Sequence, residues 1–539
     1  MTARGADLVV GALAAAGVRQ LFSLSGNQIL SVYDATIGRD MRIIHTRHEA
    51  AAVHMADAWG RLGEEPGVAL VTAGPGHLNA LSALYGALMA ESPVVLLSGH
   101  APTGQAGRGA FQAVDQAGAA APVTKASWIA KDAARLGEDI AMALELARNG
   151  RPGPVHVSLP GDLLDATVRD EGASGSAAGP RGSMSVAQAD LRRLLELLEE
   201  ARRPLILIGP AMARQARRAS VERLAAATFM PALPMESPRG VNDPWLHLAT
   251  GCLGRADLVL LLGKRLDFAV RFGGAPPFEP ACRFVQVDWD AEALDRSGRV
   301  TLGLVTDPAL LAGELAAATP LAGRWRAWGD EVAAARASVP AEWEGLRRSS
   351  RTPMHPLRVC AEIQPLLDRG GVLVADGGEF GQWIQAGCEA GTRLINGLSG
   401  SIGSALPMAI GARLRHPERP VIAALGDGTF GFHAFELDTA LRAGLPVVVV
   451  VGNDARWNAE HQLQLQHYGA ARAVACELRP SRYDLVASAL GGHGEHVERP
   501  EELGPALERA LASGLPACIN VMIDGVAAPT YRAGAAPSH

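Results

Sequence analysis

Two aspartates, each at the end of an apolar run, are the residues of this sequence best placed to do chemistry. Asp427 lies in a Gly-Asp-Gly-Thr segment directly after the run 421–425, and Asp454 follows the run 446–451. A strand–helix–strand crossover through 433–445 would bring both carboxylates to one carboxyl edge of a parallel sheet. The N–H groups of a Gly-Asp-Gly turn favour an anion, and neighbouring carboxylates favour Mg²⁺ with substrate phosphates. The pair therefore predicts a magnesium–diphosphate site.

The elements that must position these aspartates follow a regular pattern. Short apolar runs alternate with longer amphipathic stretches along the whole chain, which is typical of parallel α/β proteins. Predicted strands include 67–72, 93–98, 204–208 and 371–375, and 78–89 is a predicted helix between the first two strands. We therefore predict an α/β fold with parallel sheets.

Two stretches with few apolar residues divide the chain. The segment 170–184 is small, polar and glycine-rich, and 337–354 is rich in serine, proline and arginine. A chain of 539 residues is also too long for a single core. These features predict three consecutive parallel-sheet α/β domains, at 1–168, 185–335 and 355–530.

The composition is that of an ordinary globular protein, with 48% hydrophobic and 20% charged residues. The net charge of −6 and the lack of a Lys/Arg run argue against a nucleic-acid partner. The six cysteines are scattered without a CxxC pair, which favours reduced thiols and a cytoplasmic location. No uncharged apolar run reaches the roughly 18 residues of a membrane span, so we expect none.

The spacing of the two aspartates resembles that of the thiamine-diphosphate (ThDP) enzymes, in particular the acetolactate synthase and 2-hydroxyacyl-CoA lyase branch. In that family Gly-Asp-Gly is followed after about 25 residues by Asn-Asn, where this chain has Asn453-Asp454. The three predicted domains match the family's pyrimidine-binding, central and diphosphate-binding domains. Asp454 departs from the family pattern, because a carboxylate replaces an amide. It could tighten Mg²⁺ binding or repel the diphosphate.

The resemblance also implies a pyrimidine-binding end of the site. A carboxyl group must hydrogen-bond the aminopyrimidine ring, and an apolar pocket helps such a group to keep its proton. Glu49, in an Arg-His-Glu motif, resembles this catalytic residue, while Gly74 and Asn79 stand in the family's Gly-Pro-Gly-x-x-Asn pattern as cofactor-binding residues. A surface glutamate at a helix start is the alternative interpretation of Glu49.

Four residues are candidate neighbours of the substrate, and the resemblance implies the first two of them. Phe111 and Gln112 resemble a loop that faces the reacting carbon, where Gln112 could act as a second catalytic residue by hydrogen-bonding the carbonyl oxygen. Trp457 and His461 could line a pocket, and His461 is an acid–base candidate because its ordinary pKa lies near neutrality. The alternatives are a packed phenylalanine, a solvated glutamine and a helix that packs against the first domain.

The diphosphate end is implied by further matches. Ile402, which lies between glycines, resembles the apolar wedge that bends the cofactor, although an ordinary core isoleucine is the alternative. The metal ligands would be Asp427, Asp454 and the backbone carbonyl of Arg456. The other cofactor-binding residues that the resemblance implies are Gly378, Glu379, Gly400, Gly426, Gly428 and Thr429.

We predict an enzyme that uses ThDP and Mg²⁺ to make or break a carbon–carbon bond in a small 2-oxo acid, as acetolactate synthases do. The alternatives are a 2-hydroxyacyl-CoA lyase or oxalyl-CoA decarboxylase, and a catalytically silent cofactor-binding paralogue. The central segment 262–278 looks closer to the ADP-binding lyases than to the FAD-binding synthases. FAD, ADP/CoA and no nucleotide therefore all stay open for the central domain. The resemblance also implies a homodimer or homotetramer with active sites between subunits.

Overall fold

The computed structural model of the protein describes residues 2–63, 65–169, 186–294 and 296–531. These residues form three parallel sheets, each built from one stretch of the chain, and one two-stranded antiparallel pair. The prediction of consecutive parallel-sheet α/β units is confirmed. The predicted linker 170–184 lies outside the described residues, and the exact domain limits remain a prediction.

The N-terminal part forms a six-stranded parallel sheet with the antiparallel pair beside it. Its strands are β1 (Thr2–Arg4), β2 (Gln20–Ser23), β3 (Arg42–His45), β4 (Gly67–Val71), β5 (Val94–His100), β6 (Ala126–Ile129), β7 (Val155–Pro160) and β8 (Thr167–Arg169). Its α-helices are α1 (Gly5–Ala15), α2 (Leu30–Ala35), α3 (Glu49–Gly63), α4 (Pro75–Met89), α5 (Gln116–Ala120), α6 (Leu136–Arg148) and α7 (Gly161–Asp165). The sheet has the order β3-β2-β4-β5-β7-β6.

The central part forms a five-stranded parallel sheet. Its strands are β9 (Pro204–Ile208), β10 (Ala232–Pro234), β11 (Leu258–Leu262), β12 (Arg283–Asp288) and β13 (Val300–Val305). Its α-helices are α8 (Gln188–Glu200), α9 (Gln215–Thr228), α10 (Thr250–Leu253), α11 (Pro308–Ala316), α12 (Arg326–Ala337) and α13 (Glu342–Arg347). The strand order is β10-β9-β11-β12-β13.

The C-terminal part forms a second six-stranded parallel sheet. Its strands are β14 (Val372–Ala375), β15 (Thr392–Ile395), β16 (Val421–Gly426), β17 (Val448–Asn453), β18 (His493–Val497) and β19 (Ala517–Met522). Its α-helices are α14 (Pro356–Asp368), α15 (Gly378–Gly387), α16 (Ala405–Arg415), α17 (Asp427–His433), α18 (Glu436–Ala443), α19 (Asn458–Tyr468), α20 (Tyr483–Leu490) and α21 (Pro500–Ala512). The strand order is β15-β14-β16-β17-β19-β18.

The N-terminal and C-terminal sheets share a core. The central strands β4 and β17 are buried along their length, as is usual for parallel sheets that helices cover on both faces. Helix α3 of the first part packs against α16 of the last, and residues of both parts join one buried cluster. At Gly411 an added Cβ would lie 2.6 Å from the carbonyl oxygen of Met55, so glycine permits this close approach. The packing fixes the pyrimidine-end residues relative to the last sheet.

The remaining expectations concern cysteines and membranes. All six cysteines are buried and none forms a disulfide. In the described ranges, every helix is too short or too polar to cross a bilayer. Burial raises the pKa of Cys282 to about 12, so this thiol stays protonated.

Candidate functional site

The carboxyl edge of the C-terminal sheet carries both aspartates. Strands β16 and β17 are neighbours, with Gly426 opposite Gly452. Asp427 begins α17 directly after β16, and Asp454 follows β17. The predicted Gly-Asp-Gly turn is therefore the first turn of a helix, and the predicted crossover 433–445 comprises the end of α17 and the whole of α18. The strand order reverses between β14 and β16, and open α/β sheets bind ligands at such a switch point.

The two carboxylates lie where negative charge is unfavourable. Asp427 is 2% exposed, and its Oδ2 atom is buried without a hydrogen-bond partner in the described part of the chain. Burial raises the pKa of Asp427 to about 6. Burial, together with the charge of Asp427, raises the pKa of Asp454 to about 7. A bound divalent cation would neutralise both groups and would give the Oδ2 atom a partner.

The donor set suits Mg²⁺ held together with a diphosphate. Mg²⁺ in such sites takes one or two carboxylates and completes its shell with phosphate oxygens and water. Over the described ranges, no cluster of three His, Cys, Asp or Glu side chains could hold a metal by itself. Arg456, whose backbone carbonyl is the third predicted ligand, lies beside both aspartates in one cavity. The residues present therefore fit the implied metal and the diphosphate of ThDP.

A cavity of about 220 Å³ opens at this edge. Eleven of the residues predicted to bind cofactor, metal or substrate line it. They are Gly378, Glu379, Gly400, Ile402, Gly426, Asp427, Gly428, Thr429, Asp454, Arg456 and Trp457. Six other predicted residues do not line it. They are Glu49, Gly74, Asn79, Phe111, Gln112 and His461.

Asp376 holds the loop that carries Ile402. Its buried carboxylate accepts hydrogen bonds from the backbone N–H groups of Gly377 at 2.7 Å, Gly403 at 3.0 Å and Ala405 at 3.1 Å. Burial raises the pKa of Asp376 to about 6, and these N–H donors oppose the rise. Ile402 lies against Gly377, where an added Cβ would be 2.9 Å from the Ile402 side chain. Asp376 is therefore a positioning residue for the predicted wedge.

The sequence analysis missed several residues of this site. Asp376 had a usable signal, because it is an acidic residue directly after the apolar strand 372–375, as Asp427 is after its strand. No motif pointed to the cavity residues that come from the central part of the chain. They are Ser237, Pro238 and Arg239.

Two predicted cofactor-binding side chains are engaged within the protein. The Thr429 hydroxyl donates to the carbonyl oxygen of Gly426 at 3.0 Å, so its proton does not point to a ligand. The Glu379 carboxylate accepts from the Ala528 N–H at 2.8 Å and from Gln382 at 2.9 Å, and burial raises its pKa. Both residues also line the cavity, so their contact with the cofactor stays a prediction.

The pyrimidine-end residues form a second group in the N-terminal part. Glu49 is the first residue of α3 and is 8% exposed, so it is not the surface glutamate of the alternative interpretation. The Asn79 side-chain amide donates to Glu49 Oε2 at 3.1 Å. The other oxygen, Oε1, lies against Gly76, where an added Cβ would be 3.2 Å away. The glycine of this motif therefore leaves the carboxylate accessible to a flat ligand.

The predicted substrate loop lies beside this second group. A Cβ added to Gly74 would lie 2.6 Å from the carbonyl oxygen of Gln112, and Gly74 has a left-handed φ of +57°. The Gln28 amide donates to Gln112 Oε1 at 2.9 Å, and Gln28 is a neighbour that the sequence did not indicate. Phe111 is 72% exposed, so it is not a packed loop residue within one chain.

Trp457 and His461, the two residues predicted near Asp454, differ in whether they line the cavity. The indole of Trp457 covers Gly428, where an added Cβ would lie 2.7 Å from the ring, and Trp457 lines the cavity. His461 is part of helix α19, and its buried Nδ1 has no hydrogen-bond partner within the described ranges. His461 does not line the cavity, so the structure gives it no contact with this site.

Comparisons with known proteins match all three parts of the chain. Family models of the thiamine pyrophosphate enzymes match residues 3–119 (N-terminal TPP binding domain), 191–315 (central domain) and 376–521 (C-terminal TPP binding domain). Thiamine pyrophosphate and TPP are other names for ThDP.

Curated relatives match over nearly the full length. A probable acetolactate synthase of Mycobacterium bovis is 36% identical over 97% of this chain and 96% of its own. A 2-hydroxyacyl-CoA lyase of Arabidopsis thaliana is 28% identical over 96% of this chain and 95% of its own. A 2-hydroxyacyl-CoA lyase 2 of Bos taurus is 30% identical over 93% of this chain and 86% of its own. The resemblance read from the two aspartates is thus confirmed, and this chain belongs to the thiamine pyrophosphate enzyme family.

Proposed function

We propose that this protein is a ThDP- and Mg²⁺-dependent carbon–carbon lyase and ligase that acts on a small 2-oxo acid, in the manner of an acetolactate synthase. The observation that carries the proposal is the pair Asp427 and Asp454 in a cavity at a sheet switch point. Within the described residues, the Oδ2 atom of Asp427 has no hydrogen-bond partner. The 36% identity to a probable acetolactate synthase, against 28% to a 2-hydroxyacyl-CoA lyase, supports the synthase-like reaction.

The C-terminal residues would hold the diphosphate end of the cofactor. When bound, ThDP supplies a nucleophilic carbon and an electron sink for the bond next to a carbonyl. Asp427, Asp454 and the carbonyl of Arg456 would ligate the Mg²⁺ that ties the diphosphate to the sheet edge. Ile402, held by the Asp376 loop, would support the bend of the cofactor from below. Trp457 closes one side of the cavity and limits the entry of water.

Glu49 would hold a proton at the pyrimidine end. Its Oε2 atom is bound by the Asn79 amide, so Oε1 is the atom that remains for the ring nitrogen of the aminopyrimidine. A proton held on Oε1 would form a hydrogen bond to that nitrogen, so the proposed role of Glu49 is to bind and tune the aminopyrimidine ring. Gln112 would hydrogen-bond the carbonyl oxygen of the substrate from the same side.

We place each active site between two subunits. Glu49, Asn79 and Gln112 do not line the cavity that contains Asp427 in the same chain. A partner chain in a homodimer or homotetramer would bring its own Glu49 to that cavity, as a two-fold interface can exchange equivalent surfaces. The exposed Phe111, beside Gln112, would then face the partner.

Mixing two inactive variants tests this arrangement. Glu49→Gln and Asp427→Asn damage different halves of the site, so co-expressed heterodimers would contain one intact site of two. We expect about a quarter of the normal activity for random pairing. The control pairs Glu49→Gln with Asn79→Ala, which lie in the same half and should restore nothing. An inactive first mixture, with heterodimers demonstrated, would contradict shared sites.

Product analysis tests the reaction. The purified chain, saturated with ThDP and Mg²⁺, is incubated with pyruvate or with a 2-hydroxyacyl-CoA, and CO₂, acetolactate and acyl-CoA products are measured. We expect CO₂ and acetolactate from pyruvate. Release of an aldehyde and formyl-CoA from the thioester, without turnover of pyruvate, would replace the synthase-like assignment by the lyase.

One observation favours the lyase as a second candidate. A second cavity of about 440 Å³ adjoins the first, and Arg239 lines both. Arg271 and two exposed phenylalanines, Phe268 and Phe272, line the second cavity. Two guanidinium groups beside apolar rings suit a long substrate with an anionic end, such as an acyl-CoA. Pyruvate would not need these contacts.

The Arg271→Ala variant separates the two candidates. If an acyl-CoA occupies the second cavity, the KM for the thioester should rise about tenfold, because one charge-assisted contact is lost. The kinetics with pyruvate should not change. Arg193→Ala, on the exposed face of α8, is the control for the loss of a surface charge. Equal effects on both substrates would argue against a thioester in that cavity.

A further inference from the structure

The central sheet has a switch point of its own. From β9 the chain passes to the edge strand β10 on one side and then to β11, β12 and β13 on the other. Ligands of open α/β sheets bind at the carboxyl ends of the strands where the order reverses, here between β9 and β11. The turns that border this crevice are 209–213 after β9 and 263–264 after β11. A nucleotide phosphate would need the backbone N–H groups of such turns.

A carboxylate of the N-terminal part occupies this position. Glu91 Oε2 accepts a hydrogen bond from the Ala211 N–H at 2.9 Å, in the turn after β9. Arg151 Nη1 donates to Glu91 Oε1 and, at 3.1 Å, to the carbonyl oxygen of Gly263 in the turn after β11. Arg151 Nη2 donates to the buried carboxylate of Asp288 at the end of β12. We call these three charged residues the Glu91–Arg151–Asp288 clasp.

The backbone that carries Glu91 is held in an unusual conformation. Glu91 has a φ of +54°, which residues with a side chain rarely adopt. Arg214 of the central part donates from Nη2 to the carbonyl oxygens of Ala90 and Glu91, both at 2.6 Å. Such a conformation persists where its surroundings impose it. Here the central part binds both the Glu91 carboxylate and the backbone carbonyls of Ala90 and Glu91.

The crevice itself is closely packed. An added Cβ at Gly209 would lie 2.2 Å from the Gly263 carbonyl oxygen, and one at Gly263 would lie 2.9 Å from the Trp289 ring. The Arg151 guanidinium stacks 5.5 Å from the centre of that ring. Pro210 has no N–H to offer an anion. The glycines here serve the contact between the two turns, and neither of the two cavities described above reaches them.

We propose that the central sheet binds no resident nucleotide at its switch point, because Glu91 takes the place of a nucleotide phosphate and the clasp fastens the N-terminal part to the central sheet. A carboxylate bound by an N–H group and a guanidinium makes the charge-assisted hydrogen bonds that a phosphate would make. At this crevice the residues present do not fit the phosphate of a resident FAD or ADP, which the sequence left open for this domain. The second cavity lies apart from the crevice and stays available to an acyl-CoA substrate. This inference does not depend on which substrate the enzyme uses.

The nucleotide content of the protein tests the inference directly. The purified full chain, saturated with ThDP and Mg²⁺, is heat-denatured, and the supernatant is analysed for flavin by absorbance and for adenine nucleotides by chromatography. We expect far less than one equivalent of either per chain, and no binding of FAD or ADP in calorimetry. One equivalent of flavin or ADP, or binding that Arg151→Ala abolishes, would overturn the proposal. The assay does not measure activity, so an error in the proposed reaction would not affect it.

The Glu91→Ala variant tests whether Glu91 occupies an anion position. The variant leaves the Ala211 N–H and Arg151 without their carboxylate, so inorganic phosphate should raise its Tm and not that of the unmodified chain. Glu222→Ala, which breaks an exposed ion pair with Arg218, is the control and should show no phosphate effect. Equal phosphate responses of variant and unmodified chain would refute the assignment. If Glu91→Ala does not fold, the nucleotide content of the unmodified chain still decides.

Discussion

The carboxyl edges of the central and C-terminal sheets share a topology and differ in what fills them. In both sheets the strand order reverses at the second strand pair, which creates a crevice. In the C-terminal sheet Asp427 lines a cavity of about 220 Å³, and its Oδ2 atom has no hydrogen-bond partner among the described residues. In the central sheet Asp288 and Glu91 are bound by Arg151. A switch point therefore offers a place for a ligand, and the unsatisfied polar groups decide whether a ligand is needed.

The largest expected effect is at the open edge. Asp427→Asn should weaken ThDP binding in the presence of Mg²⁺ about a hundredfold or more, roughly 3 kcal/mol. The reason is that the cation loses one of the two carboxylates that bind it. The Tm without cofactor should stay or rise, since a buried unpartnered carboxylate becomes neutral. Calorimetric titration and thermal scans measure the two effects. The exposed Asp368→Asn is the control, and a clear fall in the cofactor-free Tm of Asp427→Asn would make Asp427 a structural residue.

The opposite pattern is expected at the filled edge. Asp288→Asn should lower the free energy of unfolding by about 3 kcal/mol, because the buried Arg151 guanidinium loses one of its two charged partners. ThDP affinity should not change. Denaturant unfolding and titration calorimetry test both statements, with the exposed Asp290→Asn as control. Loss of ThDP binding without loss of stability would erase the contrast between the two edges.

A smaller effect concerns Asp376, which is buried at the open edge and bound by backbone N–H groups. Its pKa is raised from 3.8 to about 6, so the folded chain takes up this proton more readily than the unfolded chain. The stability that protonation contributes is lost as the pH rises through 6. Between pH 5 and 7 the protein should lose about 1 kcal/mol relative to Asp376→Asn. Parallel pH profiles of Tm for the two proteins would contradict a raised pKa of the buried Asp376 carboxyl.

Local features of the sequence were enough to predict the open edge. The predicted strand 204–208 is observed with the same limits. The strands β16 and β17 each end at the residue directly before Asp427 and Asp454. Apolar runs between glycines have this power because strand burial and strand ends are encoded within a few neighbouring residues. The glycines of the cavity follow from the same local motifs.

The details that sequence reasoning missed depend on distant contacts. The Gln28 amide bonds the Gln112 side chain, although the two residues are 84 positions apart in the sequence. The Glu379 carboxylate accepts from the backbone of Ala528, which is 149 positions further along the chain. Arg239 reaches the cavity from a turn of the central part and stands in no motif. A side chain's partner depends on the packing of whole domains, which spacing within a motif does not describe.

The sequence by itself determined the family, the parallel α/β architecture and the pair Asp427 and Asp454, because each depends on short runs and their spacing. Only the tertiary structure decided that Glu91, Arg151 and Asp288 meet at the central sheet, since they lie far apart in the chain and belong to no motif. It also separated Glu49 from the Asp427 cavity within one chain. Local sequence specifies which groups stand at the end of a strand, whereas long-range packing specifies whether those groups are already satisfied.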